Sequence, residues 1–135
     1  MRRRGFTLIE LLIVIAVVGA LLAIAAGTLQ RYLQTLRLNE SARITANILT
    51  EARSRAIRRS EAFSLELTGD RVRIRDADGT MIKEVEVPHR AQVSPQTTVH
   101  FTGRGLPDRQ YVFRVSTARG SRNVTLLTTG KVVIP

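Results

Sequence analysis

The chain opens on an unbroken apolar run. Residues 6–26, FTLIELLIVIAVVGALLAIAA, contain one charged side chain, Glu10. Twenty-one helical residues rise about 31 Å, close to the hydrocarbon thickness of a bilayer. The period then changes. Leu29, Leu33 and Leu36, then Ile44, Ile48, Leu49, Ala52 and Ala56, recur at helical spacing, and residues 28–60 contain neither Pro nor Gly. This predicts an amphipathic helix continuing from the apolar one. From residue 61 the period falls to two. Phe63-Ser64-Leu65-Glu66-Leu67 and Arg71-Val72-Arg73-Ile74-Arg75 alternate around Gly69-Asp70 and predict a hairpin. Further strands are predicted at Met81–Val87, Thr98–Thr102, Gln110–Ser116, Asn123–Thr128 and Lys131–Ile134, with turns at Asp76–Gly79, Gly103–Asp108, Ala118–Ser121 and Gly130. The predicted fold class is α+β: a long N-terminal helix, half transmembrane and half amphipathic, packed on a small antiparallel β domain.

Composition removes several function classes. The 135 residues include no Cys, which excludes a disulfide scaffold, a thiolate metal site and a cysteine nucleophile. Two histidines, His89 and His100, are far apart in sequence and lack a clear acid or nucleophile partner. Asp76-x-Asp78-Gly79 starts like a calcium loop but lacks the remaining ligands, so it reads as a turn. Gly103-Arg104-Gly105 is not followed by the Lys-Ser of a phosphate loop. No catalytic residue, metal site or cofactor is expected, and the chain does not read as an enzyme.

The net charge of +10 is unevenly spread. Arg2, Arg3 and Arg4 precede the apolar run and mark its cytoplasmic end, which places the β domain across the membrane. Glu10 costs on the order of 3 kcal/mol in the span, less near its end. Thirteen Leu, Ile, Val or Phe residues outweigh it at roughly 0.3–0.6 kcal/mol each. An intramembrane acid of this kind is by default a functional residue seeking a partner. A cleaved secretory signal with an Ala23-Ile24-Ala25 site, releasing a soluble protein, is the competing reading. The length of the run and Glu10 inside it count against that.

Arg4-Gly5-Phe6-Thr7-Leu8-Ile9-Glu10 resembles the processing site of type IV pilins and type II secretion pseudopilins. The resemblance covers residues 1–27. It implies a basic leader, residues 1–5, removed by prepilin peptidase after Gly5, and N-methylation of the new terminal Phe6. It further implies that Glu10 meets the Phe6 amine of a neighbouring subunit during assembly. In lipid such a pair offsets the burial cost of both ions. Residues 6–27 would then form the transmembrane and filament-core helix, residues 28–60 the amphipathic helix and residues 61–135 the β domain. The implied partners are prepilin peptidase, other pilins or pseudopilins, and the inner membrane, with the β domain in the periplasm before assembly into a pilus or pseudopilus.

A helix followed by six or seven strands is similar to the minor H-type pseudopilins, the GspH/FimT group, whose strands form a small sandwich or paired sheets. Val99-His100-Phe101-Thr102-Gly103-Arg104-Gly105 and Thr129-Gly130-Lys131-Val132 resemble that group's strand and turn and its terminal strand. Relatives proposed to bind DNA carry a Gly-Arg-x-Arg tail, whereas Gly130-Lys131-Val132-Val133 lacks the second Arg. The alternative function is a DNA-binding minor pilin acting in DNA uptake. Its candidate anion-binding residues are Arg53, Arg55, Arg58, Arg59, Arg119, Arg122 and Lys131. Residues 28–60 carry a net +5, and residues 61–135 only +3. A solvated helix face with Glu51 pairing Arg55 is the plainer expectation.

Overall fold

The computed structural model describes residues 7–135; Gly5, Phe6 and the leader arginines lie outside the described residues. The chain divides into two compact units, one up to Gln34 and one from Thr35 to Pro135. Helix α1, Leu8–Arg59, supplies the described helix of both. In the first unit every side chain from Thr7 to Leu33 is exposed. Its most apolar 18-residue stretch has a mean hydropathy of 2.9 and buries nothing within the chain. A continuous apolar surface of that length calls for lipid or neighbouring helices as its environment.

In the second unit α1 buries Ser41, Ala42, Thr45, Ala46, Ile48, Leu49, Ala52 and Ala56. The stripe follows the three- and four-residue spacing of one helical face, and its small residues let the helix backbone approach the sheet. The two polar members are satisfied. The Ser41 hydroxyl lies 2.9 Å from the Arg37 carbonyl and 3.0 Å from the Pro88 carbonyl, and the Thr45 hydroxyl donates to the Ser41 carbonyl at 2.9 Å. The predicted apolar face also included Leu29, Leu33 and Leu36. These stay exposed, Leu36 at 44%, because periodicity defines a face but not where its partner begins. The helix ends in a Schellman motif: Glu61 N–H donates to Ala56 O and Ser60 N–H to Ile57 O, with Ser60 at φ +53°.

Seven strands follow: β1 Phe63–Gly69, β2 Arg71–Arg75, β3 Met81–Glu86, β4 Gln92–Phe101, β5 Tyr111–Thr117, β6 Gly120–Leu126 and β7 Val132–Val133. They form one antiparallel sheet in the order β3-β2-β1-β4-β5-β6-β7, rather than the separate sheets implied by the resemblance. Alternation puts Phe63, Leu65, Leu67, Val72, Ile74, Val99, Phe101, Phe113, Val115, Val124 and Leu126 in the core. The opposite face of β1–β3 carries a ladder of charge. Glu84 lies 3.5 Å from both Arg71 and Arg73, and Glu66 reaches Arg73 and Arg75.

Two strands depart from prediction. β4 starts at Gln92, six residues before the predicted Thr98, because Pro95 broke the strand pattern. Gln92–Ser94 pairs with β5, while β1 pairs with Thr97–Phe101 and, past a register shift, with Val93 at Gly69. β6 starts at Gly120 rather than Asn123, since Thr117 pairs with Gly120 and leaves a two-residue turn.

Where β4 parts from β5, the loop after β4 takes over its hydrogen bonds. Asp108 N–H donates to His100 O at 3.1 Å, and Tyr111 OH lies 2.9 Å from the Asp108 carboxylate and 3.3 Å from Thr98 O. Burial pushes the Asp108 carboxyl up, but hydrogen bonds from Tyr111 and the His100 backbone prevail and hold it below its ordinary value.

Candidate assembly and anion-binding residues

Glu10 sits in the first turn of α1, and the structure gives it a local partner. Its Oε2 accepts from Thr7 N–H and from Thr7 Oγ1–H, both at 2.9 Å. Thr7 Oγ1 in turn accepts from Glu10 N–H at 3.3 Å. This is a capping box, with Thr7 as N-cap and Glu10 at N3, and it satisfies two otherwise orphaned donors. The sequence signal was present: Thr7-Leu8-Ile9-Glu10 has the Thr-x-x-Glu spacing directly before an apolar run. Glu10 therefore orders the helix start within the chain. The carboxylate retains lone pairs on Oε1 for a second donor.

The seven candidate cations do not form one site. Arg55 is bound at 2.7 Å to Glu51, as expected, and Lys83 from β3 grips the same carboxylate at 2.7 Å. Lys83 first and Arg55 second hold the Glu51 carboxyl below its ordinary value. Arg53 is a structural bolt. Its Nε donates to Gly105 O at 3.2 Å, and its side chain passes between two turns. A Cβ added to Gly130 would fall 2.6 Å from Arg53 Nε and 2.5 Å from Gly105 O. A Cβ on Gly105 would fall 3.0 Å from Arg53 Cγ and 2.6 Å from Ile57 Cδ1. Gly105 and Gly130 also have positive φ, +72° and +78°, so two requirements fix glycine at each.

Arg58 and Arg59 are exposed at the end of α1, with the Arg59 guanidinium 5.9 Å from the Phe63 ring centroid. Lys131 is exposed next to Gly130 and so lies by the Arg53 bolt. Arg119 and Arg122 are exposed on the β5–β6 hairpin. Arg122 lines a groove with Leu36, Asn39, Arg43, Ile44 and Ile134. The seven cations thus divide between the β3 side, the Arg53 end and the β5–β6 hairpin. Nothing in sequence spacing could have tied Arg53 to Gly105 and Gly130, since that contact joins a helix to two distant turns. Asp76-x-Asp78-Gly79 is a turn, closed by Thr80 N–H donating to Asp76 Oδ1 at 2.8 Å. Among the described residues no group of three His, Cys, Asp or Glu is placed to hold a metal.

Comparison with known proteins agrees with this architecture. Residues 1–26 match the prokaryotic N-terminal methylation motif. Over 67 residues the chain is 42% identical to the pilin-like protein PilA1 of Thermus thermophilus; the match spans half of this chain and 42% of that protein. The type IV minor pilin FimU of Pseudomonas aeruginosa superposes with a TM-score of 0.64 at 17% identity, over 77% of this chain and 92% of FimU. A second crystal form of FimU gives a TM-score of 0.61 at 18% identity. The chain has a pilin fold behind an N-terminal methylation motif. The described part of that motif runs into the exposed apolar part of α1, which is long and apolar enough to cross a membrane.

Proposed function

We propose that the chain is a minor pilin or pseudopilin, a structural subunit of a type IV pilus or type II secretion pseudopilus. It is processed after Gly5, N-methylated on Phe6, held in the inner membrane by residues 6–27 and then assembled through that helix. The observation that carries this reading is the register of Gly5, Phe6 and Glu10 ahead of an apolar span long enough to cross a bilayer. Cleavage creates a cationic amine at Phe6 that the uncleaved chain does not possess, so assembly through Glu10 becomes conditional on processing. Mass spectrometry of the mature N-terminus tests the reading. N-methyl-Phe6 is expected; a terminus near Ala26 or Gly27 would overturn it in favour of a secreted protein.

DNA capture is the alternative function, supported by the formal +7 left when the three leader arginines are removed. It is the weaker reading, because Arg53 and Arg55 are engaged within the fold and the other five candidates are dispersed. A retarded DNA band that fades steeply with salt would favour it.

A further inference from the structure

The cations of the second unit differ in whether the fold uses them. Those of β2 and β3 are paired: Arg71, Arg73, Arg75 and Lys83 each reach Glu51, Glu66 or Glu84. Arg37, Arg90 and Arg119 are exposed and have no ion-pair partner among the described residues.

Three separate elements bring these three arginines to one end of the second unit, the end where α1 enters it at Thr35. Arg37 lies on α1, ahead of the first buried helix residue, Ser41. Helical side chains lean toward the N-terminus, so that of Arg37 leans back along the entering chain. Arg90 closes the short 3-10 turn Pro88–Arg90. Pro88 O lies 3.0 Å from Ser41 Oγ, and His89 Nε2 lies 2.7 Å from Glu40 Oε2. His89 and Arg90 both have positive φ, +62° and +53°, a costly conformation for residues with a side chain, and the Ser41 and Glu40 contacts hold the turn that contains it. Arg119 lies in the β5–β6 turn, where a Cβ added to Gly120 would fall 3.3 Å from Leu38 Cδ2. Of the acids at this end, Glu40 is committed to His89, while Asp70 and Glu86 flank Arg71. No acid is left to neutralise the three arginines.

The covalent chain limits what this end can meet. The apolar run stops at Ala26, nine residues before Thr35. These residues are helical, a rise of about 14 Å, and any tilt of the helix shortens the height above the hydrocarbon. The headgroup layer occupies about 5–7 Å of that height, which leaves about one Debye length. We propose that the α1 entry end of the second unit, carrying Arg37, Arg90 and Arg119, rests on anionic phospholipid headgroups of the membrane that holds its own apolar helix. The inference rests on the membrane-anchored reading and adds a second attachment to it. An apolar span fixes the chain in the bilayer, and a basic collar draws the β domain down to its surface, where a phosphate layer stays within reach without diffusion. Each arginine brought to an anionic surface favours the contacting population about fivefold.

The absence of cysteine allows a direct test in the full chain, reconstituted in vesicles. A fluorophore on Ala118→Cys, next to Arg119, is quenched by a spin label carried on lipid headgroups. A second fluorophore on Ala77→Cys reports from the turn at the other end of β2. Adding phosphatidylglycerol to phosphatidylcholine vesicles should at least double the quenching at position 118, leave position 77 little changed, and lose the increase in high salt. Arg37→Glu, Arg90→Glu and Arg119→Glu together should abolish the increase. The same three sites changed to Lys should keep it, as should Arg58→Glu, Arg59→Glu and Arg104→Glu, a charge-matched reversal of exposed arginines elsewhere. Quenching indifferent to phosphatidylglycerol, or unaltered by the first reversal, would overturn the proposal. So would a retarded DNA band lost in that reversal while the label ignores lipid charge, since the arginines would then serve nucleic acid. A chain that floats with carbonate-washed vesicles but shows no lipid-dependent quenching leaves the anchored reading standing and removes only the collar. A chain that does not float removes both.

Discussion

Gly130→Ala tests whether Arg53 bolts two turns to the helix. Two costs are separable. An alanine at φ +78° costs about 1–2 kcal/mol in backbone conformation alone. The new Cβ would also sit 2.5 Å from Gly105 O and 2.6 Å from Arg53 Nε. Neither neighbour yields freely: Gly105 O accepts the Arg53 Nε–H, and Gly105 N–H is committed to Thr102 O at 2.7 Å. Overpacking of this kind adds about 1–3 kcal/mol. The sum is about 3 kcal/mol, or roughly 10–15 °C in Tm for a domain of this size. Gly79→Ala is the control. Its φ is +83°, yet an added Cβ would meet nothing within 4 Å, so it carries the backbone cost alone. Thermal unfolding of the full chain in detergent, followed by circular dichroism, should place Gly130→Ala well below Gly79→Ala. Equal Tm values for the two would refute the bolt.

Three further outcomes follow from the same structure. Glu10→Gln keeps an acceptor for the Thr7 N–H but loses the charge, whereas Glu10→Ala loses both and should cost the helix start about 1 kcal/mol. Both should insert in the membrane and fail to enter filaments; normal incorporation of Glu10→Gln would remove the charge from the assembly step. Glu51→Gln should cost no more than about 1 kcal/mol near neutral pH, since the Glu51, Arg55 and Lys83 side chains are all partly exposed. The folded-state pKa of Glu51 is lowered, so its contribution is present above the ordinary value of 4.5 and is lost as pH falls through the folded value. Urea unfolding should therefore separate wild type from Glu51→Gln at pH 7 and merge them in strong acid; a gap that widens in acid contradicts the pairing. Tyr111→Phe should cost about 1–2 kcal/mol by removing the hydroxyl shared with Asp108 and Thr98 O, read as a fall in the urea midpoint at constant slope.

What could be read from the chain in advance was whatever depends on near neighbours. Alternation in Phe63–Leu67 and Arg71–Arg75 located β1 and β2 because a strand's faces repeat every two residues. The Glu51–Arg55 pair lies one helical turn apart and was legible for the same reason. What stayed hidden depends on distant segments. Leu36 belongs to the apolar face by spacing, but only the position of the sheet decides that burial starts at Ser41. Pro95 concealed the start of β4, the stretch by which that strand reaches β5.

The candidate site shows the same division more sharply, and it changes what the arginines mean. Charge counting groups Arg53, Arg55, Arg58 and Arg59 as candidate cations of one basic helix. Folding withdraws two of them: Arg53 is committed to Gly105 and Arg55 to Glu51. Two that were never grouped, Arg43 and Arg122, come together from a helix and a hairpin in one groove beside an open strand edge. A basic surface specific for DNA would track a backbone with many interchangeable cations. In the groove the cations are two, and Leu36, Ile44 and Ile134 line it beside them together with Asn39 and Glu40. Folding thus leaves two cations at the groove and scatters the others, so a summed charge overstates the case for a polyanion.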